Sequence, residues 1–179
     1  AAFESIKRAL GPACTGGREL ARSDMFLKVD GARSGTIKGE STDQAHKDEI
    51  DVVAWAWGMH AQTEMAGAGP ASKASLRELQ LCKKVDSAST PLMSAMRNNE
   101  QIKSAVLTVR KAGKNPLEFF KISIENGRIT SIDVESAQDD SPDLIERLSL
   151  SFQRISVEYV PQRGDGGPSG TMMFETETL

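Results

Sequence analysis

Short runs in which apolar and polar residues alternate recur from Asp24 to the end of the chain. The first covers residues 25–30, and later runs include residues 50–60, 76–86, 105–109 and 120–124. Successive side chains of a strand point to opposite faces, so this period predicts strands that are buried on one side. Roughly eight or nine such runs predict an all-β domain, either a closed barrel or a sandwich.

Two places along these runs predict how strands are connected. Asn126-Gly127 separates two alternating runs and favours a tight hairpin, because both turn positions must tolerate positive φ. Residues 148–152 and 155–159 keep opposite phases of alternation. That change of phase predicts a bulge or a tight bend at Gln153-Arg154.

A single short helix is predicted in the main domain. Ser89 and Thr90 are suitable N-cap residues at its start. Leu92, Met93 and Met96 follow at helical spacing and fall on one face, so all three are predicted to pack inward.

The chain of 179 residues is long enough for one domain with a substantial core. Residues 1–23 differ from the rest and are predicted to form an N-terminal extension, a short helix followed by a linker. Residues 24–179 form the predicted domain. Within it, residues 31–47 are polar and lack apolar periodicity beyond Ile37, which predicts an extended loop.

Charge and hydropathy exclude several classes of protein. The net charge of −3 does not indicate a nucleic-acid-binding protein, which would be expected to carry a basic surface. No apolar stretch is long enough to span a membrane, and a standard secretory signal is not expected. Cys14 and Cys82 are far apart, without a CxxC pair, and free thiols are predicted.

The sequence has few of the residues that catalysis or metal binding requires. His46 and His60 are its two histidines, and both are interpreted as surface residues in or beside loops. No serine lies in a GxSxG motif, and no set of ligands has zinc or EF-hand spacing. We therefore expect no catalytic residues, no cofactor and no metal, and a protein that is not an enzyme.

Val53, Trp55, Trp57 and Met59 are predicted to share one face of a strand. Core or interface packing is the preferred interpretation of the two tryptophans. The alternative is a monomeric β-sandwich that binds carbohydrate on two exposed tryptophan rings.

Several short strings resemble, in the same order, those of the hemolysin-coregulated protein (Hcp) family of the type VI secretion system. Together they extend over about residues 24–178. They are residues 25–31 (MFLKVDG), 39–43 (GESTD), 46–50 (HKDEI), 55–58 (WAWG), 84–86 (KVD), 109–113 (VRKAG), 120–122 (FKI) and 150–162.

The resemblance implies a closed antiparallel β-barrel of two sheets, with one short flanking α-helix and an extended loop. It also implies homo-hexameric rings that stack into a tube, with sheath, spike and baseplate proteins as partners and small effectors in the lumen. Such a protein is made in the cytoplasm and exported by the machine itself. The loop is expected to contact a neighbouring subunit or ring through Glu40, Ser41, Thr42, Asp43, His46, Lys47 and Asp48.

Overall fold

The computed structural model describes residues 23–61, 74–111, 116–136, 143–162 and 169–178. The predicted N-terminal extension lies outside these residues except for Ser23, and so does Cys14. Eleven strands and one helix are found in the described part. The strands are β1 (Ser23–Gly31), β2 (Gly35–Ile37), β3 (Ile50–Ala56), β4 (Met59–His60), β5 (Ser75–Leu76), β6 (Leu79–Lys84), β7 (Ile102–Lys111), β8 (Glu118–Ser136), β9 (Leu144–Ser151), β10 (Arg154–Tyr159) and β11 (Met172–Glu177), and α1 is Ser89–Arg97.

Six antiparallel strands close into a barrel, which confirms the predicted fold. Going around it, β8 pairs with β7, β7 with β1, β1 with β3, β3 with β6, β6 with β9, and β9 with β8 again. Strand β2 pairs with β1, and β10 and β11 extend the sheet beyond β8. Closure gives β6, β7 and β9 two neighbours along most of their length, whereas β3 and the second half of β8 pair with one strand at each position.

The barrel interior is filled by branched aliphatic side chains at alternate positions of the strands. Leu27 and Val29 from β1, Leu107 from β7, and Leu148 and Leu150 from β9 are fully buried there. The change of phase predicted at Gln153-Arg154 is confirmed. Strand β9 ends just before it and β10 begins at Arg154, and the two strands pair with different halves of β8.

The predicted hairpin at Asn126-Gly127 is wrong, because β8 runs through this dipeptide as one strand of 19 residues. Asn126 has a φ of 53°, which bends the strand without reversing it. Before the bend β8 pairs with β7 and β10, and after it with β9. A Cβ on Gly127 would lie 2.1 Å from the carbonyl oxygen of Ser151, so the change of partner requires glycine.

The helix lies where it was predicted, but its inward face differs. Ala88 occupies the N-cap position, and Ser89 is already inside the helix. Leu92 and Ala95 pack into the core, whereas Met93 and Met96 are 38% and 37% exposed. The prediction that both methionines pack inward is therefore wrong.

Strand β3 has a register shift between Val52 and Ala54, so its faces change along its length. Val52 joins the core before the shift, and Trp55 packs against the core after it. Val53 is left exposed. The predicted single face through Val53 and Trp55 is therefore wrong, because an inserted residue reverses the alternation.

Cys82 of β6 is buried beside Ala54 and Ile145 in a small second cluster. It is disulfide-bonded, so the prediction of a free thiol is wrong for this residue. A strand pattern contains no signal for the oxidation state of a cysteine.

Candidate functional site

The loop between β2 and β3, residues 38–49, folds back on itself. Gly39 N–H donates to the carbonyl oxygen of Asp48 (2.9 Å), and Ser41 N–H to that of Glu49 (3.0 Å). Asp48 N–H donates in return to the carbonyl oxygen of Ser41 (3.0 Å), and Asp48 adopts a φ of 62°. These bonds give a polar segment without apolar periodicity a defined shape.

Arg110 of β7 anchors this loop to the barrel. Its Nη1 donates to Asp43 Oδ1 (3.1 Å), and its Nη2 donates to Asp43 Oδ2 (2.5 Å) and Asp24 Oδ2 (3.1 Å). The guanidinium also lies 5.0 Å from the ring centroid of Phe26. A planar guanidinium suits this paired arrangement, because its N–H groups match the two oxygens of a carboxylate.

His46 forms the second anchor and is buried, so its prediction as a surface residue is wrong. Its ring stacks on Phe26 with centroids 4.2 Å apart. Nδ1 lies 2.9 Å from Glu49 Oε2, and Nε2 lies 3.2 Å from Glu118 Oε1. When the ring is protonated, both nitrogens donate a hydrogen bond to a carboxylate.

The structure brings the seven predicted loop residues into this one segment and divides them into three groups. Ser41 and His46 are buried, Asp43 and Asp48 are half-buried, and the rest are exposed. Asp48 pairs with Lys38 at 3.3 Å. The exposed residues are Glu40, Thr42 and Lys47.

The residues that hold the loop in place were not predicted from the sequence. Arg110, Phe26 and Glu118 all lie on barrel strands. Arg110 is separated from Asp43 by 67 positions, and Glu118 from His46 by 72. Only the strand register brings these side chains together, so no local pattern could have identified them.

The contact with Arg110 should make the loop sensitive to acid. The hydrogen bond from Arg110, helped by the N–H groups of Ala45 and His46, lowers the pKa of Asp43 from 3.8 to about 2. A depressed carboxyl pKa contributes stability that is present above the unfolded-state value and is lost as pH falls towards 2. We expect Asp43→Asn to lose this part of the acid dependence of the melting temperature, measured between pH 7 and pH 2. An unchanged acid profile would contradict the role of Asp43.

A second surface is formed by the strands beyond the barrel. Tyr159 of β10 lies opposite Met172 of β11, and Val157 lies opposite Phe174, so these four side chains share a face with buried Ile155. Tyr159 is 45%, Met172 65% and Phe174 40% exposed. Met173, on the opposite face of β11, is also exposed. We call the face formed by Tyr159, Met172 and Phe174 the apolar flap.

The two tryptophans do not form an exposed platform. Trp55 stacks on Phe120 with ring centroids 5.3 Å apart, and both tryptophans are partly buried against the core. The Nε1 atom of Trp57 is buried. Partial burial of both rings is evidence against the carbohydrate-binding alternative.

The described residues contain neither a cluster of metal ligands nor a membrane-spanning helix. No group of three or more His, Cys, Asp or Glu side chains there could hold a metal ion. Within the same residues, no helix has the length and apolarity that crossing a membrane requires.

Comparison with known proteins gives a consistent family. A sequence model described as "Type VI secretion system effector, Hcp" matches residues 26–159. Protein hcp1 of Pseudomonas aeruginosa is 35% identical over 150 residues, which are 82% of this chain and 89% of that protein.

Solved structures agree with the sequence comparison. The crystal structure of Hcp1 from Salmonella typhimurium is 33% identical with a TM-score of 0.69, covering 87% of this chain and 94% of that one. The structure of a type six secretion system protein is 25% identical with a TM-score of 0.76, covering 84% of this chain and 92% of that one. This chain therefore belongs to the Hcp family of type VI secretion system tube proteins.

Proposed function

We propose that this chain is a structural subunit rather than an enzyme, and that six copies close into a ring of the type VI inner tube. The observation that carries the ring is the apolar flap, whose three side chains remain 40–65% exposed in the single subunit. A closed ring joins one patch of each subunit to a different patch of the next, so every flap is covered. Burial of apolar surface then favours the ring over the monomer.

Rings stack end to end in this proposal, and the folded loop supplies part of the contact. Glu40 and Thr42 are exposed, while Arg110 and the carboxylates beside His46 hold the segment that carries them. Polar contacts in water are weak and are screened by salt. Contacts of this strength suit a tube that must assemble and later come apart.

The remaining parts of the proposal rest on the family. The protein is made in the cytoplasm and leaves through the type VI machine. The tube is enclosed by a sheath, starts on a baseplate and carries a spike, and its lumen holds small effector proteins.

Light scattering on a size-exclusion column, with negative-stain images of the peak, tests this function. We expect a mass six times that of the chain at high protein concentration, ring-shaped particles, and stacks that become shorter as salt is added. A monomer at every concentration and salt would reject the proposed ring.

Paired substitutions test the role of the apolar flap. Met172→Ser with Phe174→Ser should convert rings to monomers, because it removes the apolar surface that assembly would bury. Met93→Ser with Met96→Ser is the matched control, since these two side chains on α1 are also exposed. Light scattering should find rings for the control pair only. Equal assembly of both variants would exclude the flap as the contact.

A further inference from the structure

Strands β2 and β11 lie at opposite ends of one sheet. The order across it is β2, β1, β7, β8, β10, β11, and in the described part of the chain each end strand pairs with one neighbour only. The outer backbone groups of such a strand remain available for pairing with another chain. The molecule therefore has two different strand edges that another subunit can reach.

The edge at β11 is acidic. Glu175, Glu177 and Glu125 surround Arg154, which is 3.6 Å from Glu175, 3.8 Å from Glu125 and in direct contact with Glu177. Three carboxylates share one guanidinium, so the cluster has two negative charges more than positive ones. All four side chains are about half exposed, and the excess charge faces solvent.

The groove beside β2 has one positive charge more than negative ones, and Asp30 of the neighbouring strand accepts a hydrogen bond from Thr36 of β2. The groove is a cavity of about 190 Å³, lined by Lys28, Thr36, Ile37, Lys38, Lys47, Asp48 and Glu49. The two acidic residues are already engaged, Asp48 with Lys38 at 3.3 Å and Glu49 with His46 at 2.9 Å. Lys28 and Lys47 are exposed and form no ion pair within the described residues.

We propose that β11 of one subunit docks beside β2 of the next, with Glu175 and Glu177 facing Lys28 and Lys47. The inference rests on the proposed ring and adds to the apolar flap a second contact, at the edge of β11 and on the opposite face of that strand. Opposite charge on two different edges of one chain fits a head-to-tail contact. A symmetric pairing of two β11 edges would bring like charges together, and a pairing of two β2 edges would do the same.

Charge reversal in two variants tests the contact. The edge variant has Glu175→Lys and Glu177→Lys, and the groove variant has Lys28→Glu and Lys47→Glu. Each alone should associate at least about 100-fold more weakly than the unmodified chain, because like charges then face each other. Arg97→Glu with Lys103→Glu is the control, since it reverses the same number of exposed charges on α1 and β7, outside both edge strands and the groove lining.

Mixing the two variants gives the decisive result. Each contact in an alternating ring then joins opposite charges, so an equimolar mixture should form six-subunit rings with three copies of each, counted by native mass spectrometry. The inference is overturned if either variant assembles alone as the unmodified chain does, or if the folded variants stay monomeric when mixed. Circular dichroism checks folding, and Glu175→Gln with Glu177→Gln replaces the edge variant if that variant unfolds. A monomeric unmodified chain would instead reject the proposed ring itself.

Discussion

Replacing Lys83 with methionine should lower the free energy of unfolding by about 3–5 kcal/mol, the loss expected when one partner of a buried ion pair is removed. The Lys83 ammonium donates to Asp86 Oδ1 (2.7 Å) and Ser89 Oγ (3.0 Å), and lies 3.4 Å from Glu146 Oε1. Glu146 is fully buried and accepts no hydrogen bond within the described residues. Without Lys83 its carboxylate would remain in the core uncompensated. Urea unfolding followed by circular dichroism measures the change.

A second substitution identifies the source of that loss. Lys83→Met combined with Glu146→Leu should recover most of the stability, because an apolar pair replaces the ion pair without leaving a charge. If the double variant is as unstable as the single one, the loss comes instead from Asp86 and Ser89 at the start of α1. Lys84→Met is the matched control. Lys84 pairs with Asp143 at the exposed surface, so its loss should cost less than about 1 kcal/mol.

Gly127→Ala should destabilise the protein by about 3 kcal/mol, the upper end of the usual cost of overpacking. The added methyl group would lie 2.1 Å from the carbonyl oxygen of Ser151, a backbone atom that cannot move aside without disturbing the pairing of β8 with β9. Thermal and urea unfolding of the purified variant measure the loss.

Gly58→Ala is the control for this experiment. Its added methyl group would meet no atom within 4 Å, so its stability should stay close to that of the unmodified chain. Equal stability of the Gly127 and Gly58 variants would show that the close approach of Gly127 to Ser151 is not needed for the fold.

Alternation of side chains was sufficient to predict an all-β domain, either a barrel or a sandwich, because the strand period is a local property of the sequence. It was not sufficient at Asn126-Gly127. The same positive φ that closes a hairpin also bends a continuous strand, and the strands that flank it decide which occurs. Local sequence specifies the tolerance for positive φ but not the choice of partner.

The helix illustrates a different limit. Helical spacing placed Met93 and Met96 on the same face as Leu92, yet the core takes Leu92 with Ala95 instead. Hydrophobicity favoured the methionines over the smaller alanine. The helix turns the face of Ser89, Leu92 and Ala95 towards the core, and helical spacing alone does not specify which of two overlapping faces is buried.

The candidate site was predicted as a segment, but its supporting residues were not. The loop was recognised from its polarity and its resemblance to the family, whereas Arg110 was noted only as part of a strand motif. Lys83 was also treated as an ordinary strand residue. A charged residue in a strand usually faces water, and only the register that places Lys83 opposite Glu146 identifies it as an interior residue.

Strand β8 belongs to both halves of the barrel, since its first half hydrogen-bonds to β7 and β10 and its second half to β9. A covalent chain therefore crosses the boundary where two separate sheets could otherwise slide past each other. Sliding of one half past the other at this boundary would have to detach β8 from one of its two ladders. A force on one half of the subunit is therefore transmitted to the other half through the covalent chain of β8.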